Sequence, residues 1–128
     1  MRVVLADDEP RVRSALRLLL EQEPGFAVVG EAEAAEQLPP MVSLLSPDLI
    51  LLDWELPGLR AEEMLPALID LCPGLLVVAL SGRPDGRKDA LAAGAHAFVS
   101  KGDPPETLLA ACRALADPSH ADCAALPL

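Results

Sequence analysis

Five side chains in this sequence combine types that can handle a phosphoryl group: the adjacent Asp7 and Asp8, a third acid at Asp53, a hydroxyl at Ser81 and an amine at Lys101. Three carboxylates brought together repel one another, and a pair about 4 Å apart costs about 4 kcal/mol at an effective dielectric of about 20. A cation must offset them. Mg²⁺ does so well, because it is commonly held by one or two carboxylates together with waters and phosphate oxygens. One carboxylate can then act as a nucleophile on phosphorus. The metal and Lys101 would stabilise charge on the transferring oxygens, and Ser81 would donate a hydrogen bond to them. Taken singly, each residue also has a plainer reading. An aspartate at a strand end often caps the following helix, and a lone lysine is usually solvated.

The elements that must position these residues are legible as short aliphatic runs. Val3–Ala6, Phe26–Gly30, Leu49–Leu52, Leu75–Leu80 and Ala97–Val99 are each too short for a helix and rich in Val, Ile or Leu, and they read as five buried strands. Between them, helical spacing recurs at Val12, Leu16, Leu19 and Leu20, at Met41, Leu44 and Leu45, and at Met64, Leu65, Leu68 and Leu71. Ala90–Ala93 and Leu108–Leu115 supply two further helices. Strands without polar alternation, separated by helices, imply right-handed crossovers onto a parallel sheet buried on both faces. The expected fold class is α/β, a doubly wound (βα)5 unit with a five-stranded parallel sheet. Pro24-Gly25, Pro57-Gly58, Pro73-Gly74 and Gly94 fall at its joints. Pro39 and Pro40 predict a short or displaced second helix. In such a sheet, ligands bind beyond the carboxyl ends of the strands, where the strand order reverses. All five chemical side chains belong at that edge.

The chain of 128 residues fits one domain, expected over residues 1–117, with a frayed tail over 118–128. Its 52% hydrophobic content predicts a packed core that is aliphatic, since there are one Trp, two Phe and no Tyr. A net charge of −10 with scattered basic residues argues against direct nucleic-acid binding by this segment. Cys72, Cys112 and Cys123 have neither a disulfide framework nor zinc spacing, which suits a reducing cytoplasm. No apolar run reaches the ~18 residues of a membrane span, and no secretory leader is evident.

Four blocks then carry a resemblance. Ala6-Asp7-Asp8-Glu9-Pro10, Leu51-Leu52-Asp53-Trp54-Glu55-Leu56-Pro57-Gly58, Leu80-Ser81-Gly82 and Gly94-Ala95-His96-Ala97-Phe98-Val99-Ser100-Lys101 resemble the CheY-like receiver family of two-component response regulators, over residues 2 to about 116. The resemblance implies a flavodoxin-like fold and a phosphoacceptor switch rather than an enzyme in the ordinary sense, acting beyond its own phosphorylation and autodephosphorylation. It implies that Asp53 takes the phosphoryl group from a histidine kinase or phosphotransfer protein. Mg²⁺ would be bound by Asp8, Asp53 and the backbone carbonyl of Glu55, with Asp7 assisting through water, while Ser81 and Lys101 bind the phosphoryl oxygens. Ser81 and Phe98 would form the switch pair that changes the surface of the fourth helix, fifth strand and fifth helix. Phe98 reads equally as plain core packing. A homodimer through the fourth and fifth helices, or through the first and fifth, lies within the family's repertoire. Residues 1 to about 30 and 94 to 115 further resemble receivers attached to helix-turn-helix DNA-binding domains, which implies transcriptional regulation where such a domain is attached.

The chain departs from the family at Glu55, a fourth acid expected to pair with Lys101 or Arg83 or to crowd the metal. The run Ser81–Arg87 is expected as a mobile loop. Two other functions compete with the switch. One is a phosphorylation-independent interaction module with the same fold. The other is a flavin- or nucleotide-binding enzyme, for which no GxGxxG or GxxxxGK[ST] loop is present.

Overall fold

The computed structural model describes residues 1–117, so the tail expected over 118–128 lies outside the described residues. Strand β1 (Arg2–Ala6) leads through α1 (Pro10–Glu21) to β2 (Ala27–Ala32). A 3₁₀ turn (Ala35–Gln37) and α2 (Leu38–Leu45) precede β3 (Leu49–Asp53) and α3 (Ala61–Leu71). Then come β4 (Leu76–Ser81), a second 3₁₀ turn (Pro84–Gly86), α4 (Arg87–Ala92), β5 (Ala97–Ser100) and α5 (Pro105–Ala116). All strand pairs are parallel and the order is β2-β1-β3-β4-β5. Successive crossovers therefore wind outward in both directions from the β1/β3 pair, as expected of a doubly wound sheet.

Alternation along the strands divides the core in two. Val4, Ile50, Leu52, Val77, Ala79 and Phe98 face α2, α3 and α4, whereas Val3, Leu5, Leu49, Leu51, Val78 and Val99 face α1 and α5. β1 and β3, buried along almost their whole length, lie at the centre and hold their carboxyl ends rigidly.

Three local expectations are corrected. β2 runs past Gly30 to Ala32, because its pairing with β1 continues beyond a bulge between Val3 and Val4 to Ala6↔Ala32. As an edge strand it is only half-buried, not covered on both faces. The run expected to be a loop after Ser81 contains the Pro84–Gly86 turn, and α4 starts at Arg87, earlier than the apolar spacing suggested.

The second helix is short, as its prolines dictate. Pro39 and Pro40 occupy its first turn, where missing N–H groups cost little. It packs closely on β2 because position 30 is glycine: a Cβ there would lie 2.9 Å from Leu45 Cδ1 and 3.0 Å from Met41 Sδ. Pro66, by contrast, sits inside α3 on its exposed face and removes one intrahelical donor.

Candidate phosphoryl and metal site

The chain ends each central strand with an acid. Asp53 is the last residue of β3 and Asp7 follows β1; both are 1% exposed, whereas the adjacent Asp8 is open to solvent. One oxygen from each of Asp7, Asp8 and Asp53 lies within 4.8 Å of the others. None of these aspartates caps a helix: the N-cap positions of α1 and α3 are Glu9 and Arg60. The capping alternative for Asp8 and Asp53 is thereby removed.

Lys101, just beyond β5, reaches over the end of β4 into this cluster. Its Nζ stands 2.8 Å from Asp7 Oδ2 and 3.3 Å from Asp53 Oδ1. Its side chain is 26% exposed, so it is neither sealed in nor an ordinary solvated lysine. Burial alone would lower its pKa, but contact with Asp7 and the charges of Asp53 and Asp7 outweigh this and raise it. The ammonium therefore stays charged. Burial pushes the Asp53 carboxyl above its usual range and the charge of Asp7 adds to this, against the opposing pull of the Glu55 N–H and Lys101.

The local backbone fixes the two buried acids. Asp53 Oδ1 accepts the N–H of Glu55 at 3.0 Å, and Asp7 Oδ1 accepts that of Glu9 at 2.9 Å. Asp7 Oδ2, also buried, receives no well-directed hydrogen bond and meets Lys101 as an ion pair. A buried, anionic and under-satisfied oxygen beside two further carboxylates is a hard-oxygen donor set of the kind that suits Mg²⁺ or a similar divalent ion. The residues present fit such an ion.

Ser81 closes β4, 1% exposed, and the backbone ties it to the site: Lys101 N–H donates to Ser81 O at 2.8 Å. Among the described residues, its hydroxyl bonds Glu55 and Arg83 and none of the aspartates. The hydroxyl donates to Glu55 Oε2 at 2.8 Å and accepts the N–H of Arg83 at 2.9 Å, while the other Glu55 oxygen takes the N–H of Gly82 at 3.1 Å. This corrects the expectation that Glu55 pairs with Lys101 or Arg83. Among the described residues it forms no ion pair with Lys101 or Arg83, because Lys101 is occupied by two more buried acids and the start of the β4–α4 connection offers closer donors. Phe98 lies in the core at 5% exposure, with the Arg87 guanidinium 5.4 Å from its ring centroid.

Sequence reasoning missed Arg13. Its Nη1 donates to the Asp7 carbonyl at 2.6 Å, and its Nε pairs with Glu31 on β2 at 3.0 Å. Arg17, one turn later, binds the other Glu31 oxygen at 2.6 Å. The available signal was two arginines at i and i+4 directly after the acidic pair, on the helix face that turns toward β2. Arg13→Ala leaves the Asp7 carbonyl and Glu31 each short of a charged donor. It is expected to cost about 1–3 kcal/mol in urea unfolding, against well under 0.5 kcal/mol for the exposed Arg11→Ala.

Acids at the switch point of a parallel sheet, with a lysine from the outer strand beside them, can hold a divalent cation and a phosphoryl group. The response regulator receiver domain family model matches residues 3–113, and the chain belongs to that family. It is 36% identical over 111 residues to the nitrate/nitrite response regulator protein NarL of Escherichia coli strain K12, covering 85% of this chain and 51% of that protein. The chain spans about half the length of the curated relatives it matches. Among solved structures, a LuxR-family two-component response regulator from Aurantimonas sp. SI85-9A1 superposes with a TM-score of 0.81 at 30% identity, covering 94% of this chain and 92% of that one. The signal receiver domain of the putative response regulator NarL from Mycobacterium tuberculosis gives a TM-score of 0.78 at 27% identity, covering 88% and 92%. Among the described residues no helix is long and apolar enough to cross a membrane.

Proposed function

We propose that this receiver, over residues 1–117, accepts a phosphoryl group on Asp53 from a histidine kinase or phosphotransfer protein of the cytoplasm. The observation that carries this reading is the buried Asp7–Asp53 pair, with Asp8 beside it and Lys101 bridging both. Mg²⁺ would be held by Asp8, Asp53 and the backbone carbonyl of Glu55, with Asp7 acting through water, and would supply charge neutralisation for the phosphoryl oxygens. Asp53 presents its carboxylate at the mouth of a rigid strand; its oxygen forms the new bond to phosphorus as the bond to the donor breaks. Lys101 moves from carboxylate to phosphoryl oxygen, and Ser81 contributes its hydroxyl. Loss of the group by slow autodephosphorylation resets the domain. Ser81 and Phe98 would pass the change to the α4, β5 and α5 surface, through which, or through α1 and α5, the domain pairs with a second copy. The regulators it is similar to suggest transcriptional control as the output, by analogy of family.

The test is intact mass after incubation with acetyl phosphate. One added phosphoryl group is expected with Mg²⁺, and none with EDTA or in Asp53→Asn. A folded, Mg²⁺-supplied wild-type chain that gains nothing would favour the phosphorylation-independent docking module. One observation speaks for that alternative: the Ser81 hydroxyl is engaged by Glu55.

A further inference from the structure

We propose that Glu55 is a positioning residue that withholds Ser81 from the phosphoryl site, setting how readily this receiver switches; the proposal rests on the phosphoacceptor reading above. A serine hydroxyl has one proton to donate. Here that proton goes to Glu55 Oε2 at 2.8 Å, and the lone pairs take the Arg83 N–H at 2.9 Å. The second Glu55 oxygen holds the Gly82 N–H at 3.1 Å, so one carboxylate grips two successive donors at the end of β4. Its own backbone is fixed by the Asp53 side chain, which accepts the Glu55 N–H at 3.0 Å. The acceptor and the latch are thus two residues apart on one turn and compete for one hydroxyl.

Gly86 and Phe98 lie beside Ser81. A Cβ placed on Gly86 would lie 3.8 Å from Ser81 Oγ and 3.5 Å from the Phe98 ring, and Phe98 is itself buried under Arg87. The hydroxyl donates to Glu55 in this structure; on the phosphoacceptor reading it would donate instead to a group on Asp53. Phosphorylation must exchange one charged acceptor for another. The apparent affinity of the site for a phosphoryl group falls by the fraction of molecules in which the hydroxyl is free. A charge-assisted hydrogen bond of ordinary strength makes that fraction about one in ten.

The experiment measures beryllofluoride affinity of the full chain in Mg²⁺, read from the emission of its single tryptophan, Trp54, next to the acceptor. The comparison covers wild type, Glu55→Ala, Glu55→Gln, Ser81→Ala and Glu55→Ala with Ser81→Ala. Glu55→Ala is expected to bind about ten-fold tighter, and Glu55→Gln, which keeps an acceptor but no charge, should fall between it and wild type. In the Ser81→Ala background the gain should shrink to under about two-fold, since the coupling runs through the hydroxyl. A gain that persists there, or is equal in Glu55→Gln and Glu55→Ala, would mean simple charge repulsion and overturns the latch. In the wild type, the Gly82 amide proton and Glu55 carboxyl carbon signals should both move when beryllofluoride binds; unmoved signals also overturn it. Absence of any beryllofluoride response in every chain would instead overturn the phosphoacceptor reading.

Discussion

Asp53→Asn is expected to abolish the phosphoryl gain entirely and, at the same time, to stabilise the metal-free fold. The two effects have one cause. Burial holds the Asp53 carboxyl above its usual range, and the charge of Asp7 adds to that shift, although the Glu55 N–H and Lys101 oppose it. Because the folded pKa exceeds the unfolded one, the native state binds more protons in the window between them. The associated stability is present below that window and is lost as pH rises through it. At neutral pH the ionised acid is thus a cost that asparagine, of nearly equal shape and still able to accept the Glu55 N–H, does not incur. Urea unfolding should show a gain at neutral pH that shrinks as the pH falls and the wild-type Asp53 carboxyl takes up its proton. Excess Mg²⁺ should narrow the difference, since the wild type alone keeps the full acidic set. An asparagine variant that is less stable than wild type at neutral pH without metal would show that Lys101 already over-compensates the pocket.

Lys101→Ala should act in the opposite direction on stability. It leaves Asp7 and Asp53 buried and facing one another with no cation among the described ion pairs of the pocket. Removing one partner of a buried pair costs about 3–5 kcal/mol, and the partial exposure of Lys101 places the expected loss near 3 kcal/mol. The sign with pH follows from the acids: without the lysine, the Asp53 pKa rises further, so the loss is greatest at neutral pH and diminishes on the acid side as the carboxyls take up protons. Mg²⁺ at about 100 times its dissociation constant would restore about 2.7 kcal/mol by binding only the folded state. Denaturant curves with and without the metal test this. A loss under about 1 kcal/mol that Mg²⁺ leaves unchanged would separate Lys101 from the carboxylate cluster. Phosphorylation should stay slow even with the metal, because the phosphoryl oxygens lose their second cation.

Most of the scaffold was legible in the chain because its strands are buried. Leu49–Leu52 and Leu76–Leu80 alternate between two apolar layers, so the sequence shows unbroken hydrophobic runs bounded by turn residues. Asp7, Asp8, Asp53 and Lys101 were legible for a related reason: a charged residue directly after a buried strand must lie at the sheet edge, and the rule for ligand sites names that edge. What the sequence did not show were side-chain directions. Glu55 was expected to seek a cation, yet it takes the hydroxyl of Ser81 and the amide of Gly82, groups brought beside it only by the β3–β4 pairing. Arg13 was unremarked because its partners, the Asp7 carbonyl and Glu31, are a backbone atom and a residue of another strand. The extension of β2 to Ala32 was hidden because an edge strand needs apolar cover on less of its surface.

The bridge from Lys101 joins the end of β5 to the end of β1 across β3 and β4. Asp7 follows β1 and Lys101 follows β5, the first and last strands of the described sheet in chain order, with β3 and β4 lying between them. A nascent polypeptide whose fifth strand is still inside the ribosome holds the acids without their partner, in a pocket that is electrostatically unfinished. Completion of the acidic pocket thus coincides with docking of β5, and a chain cut short before residue 101 keeps much of the sheet's sequence while lacking the cation that pairs with its buried acids.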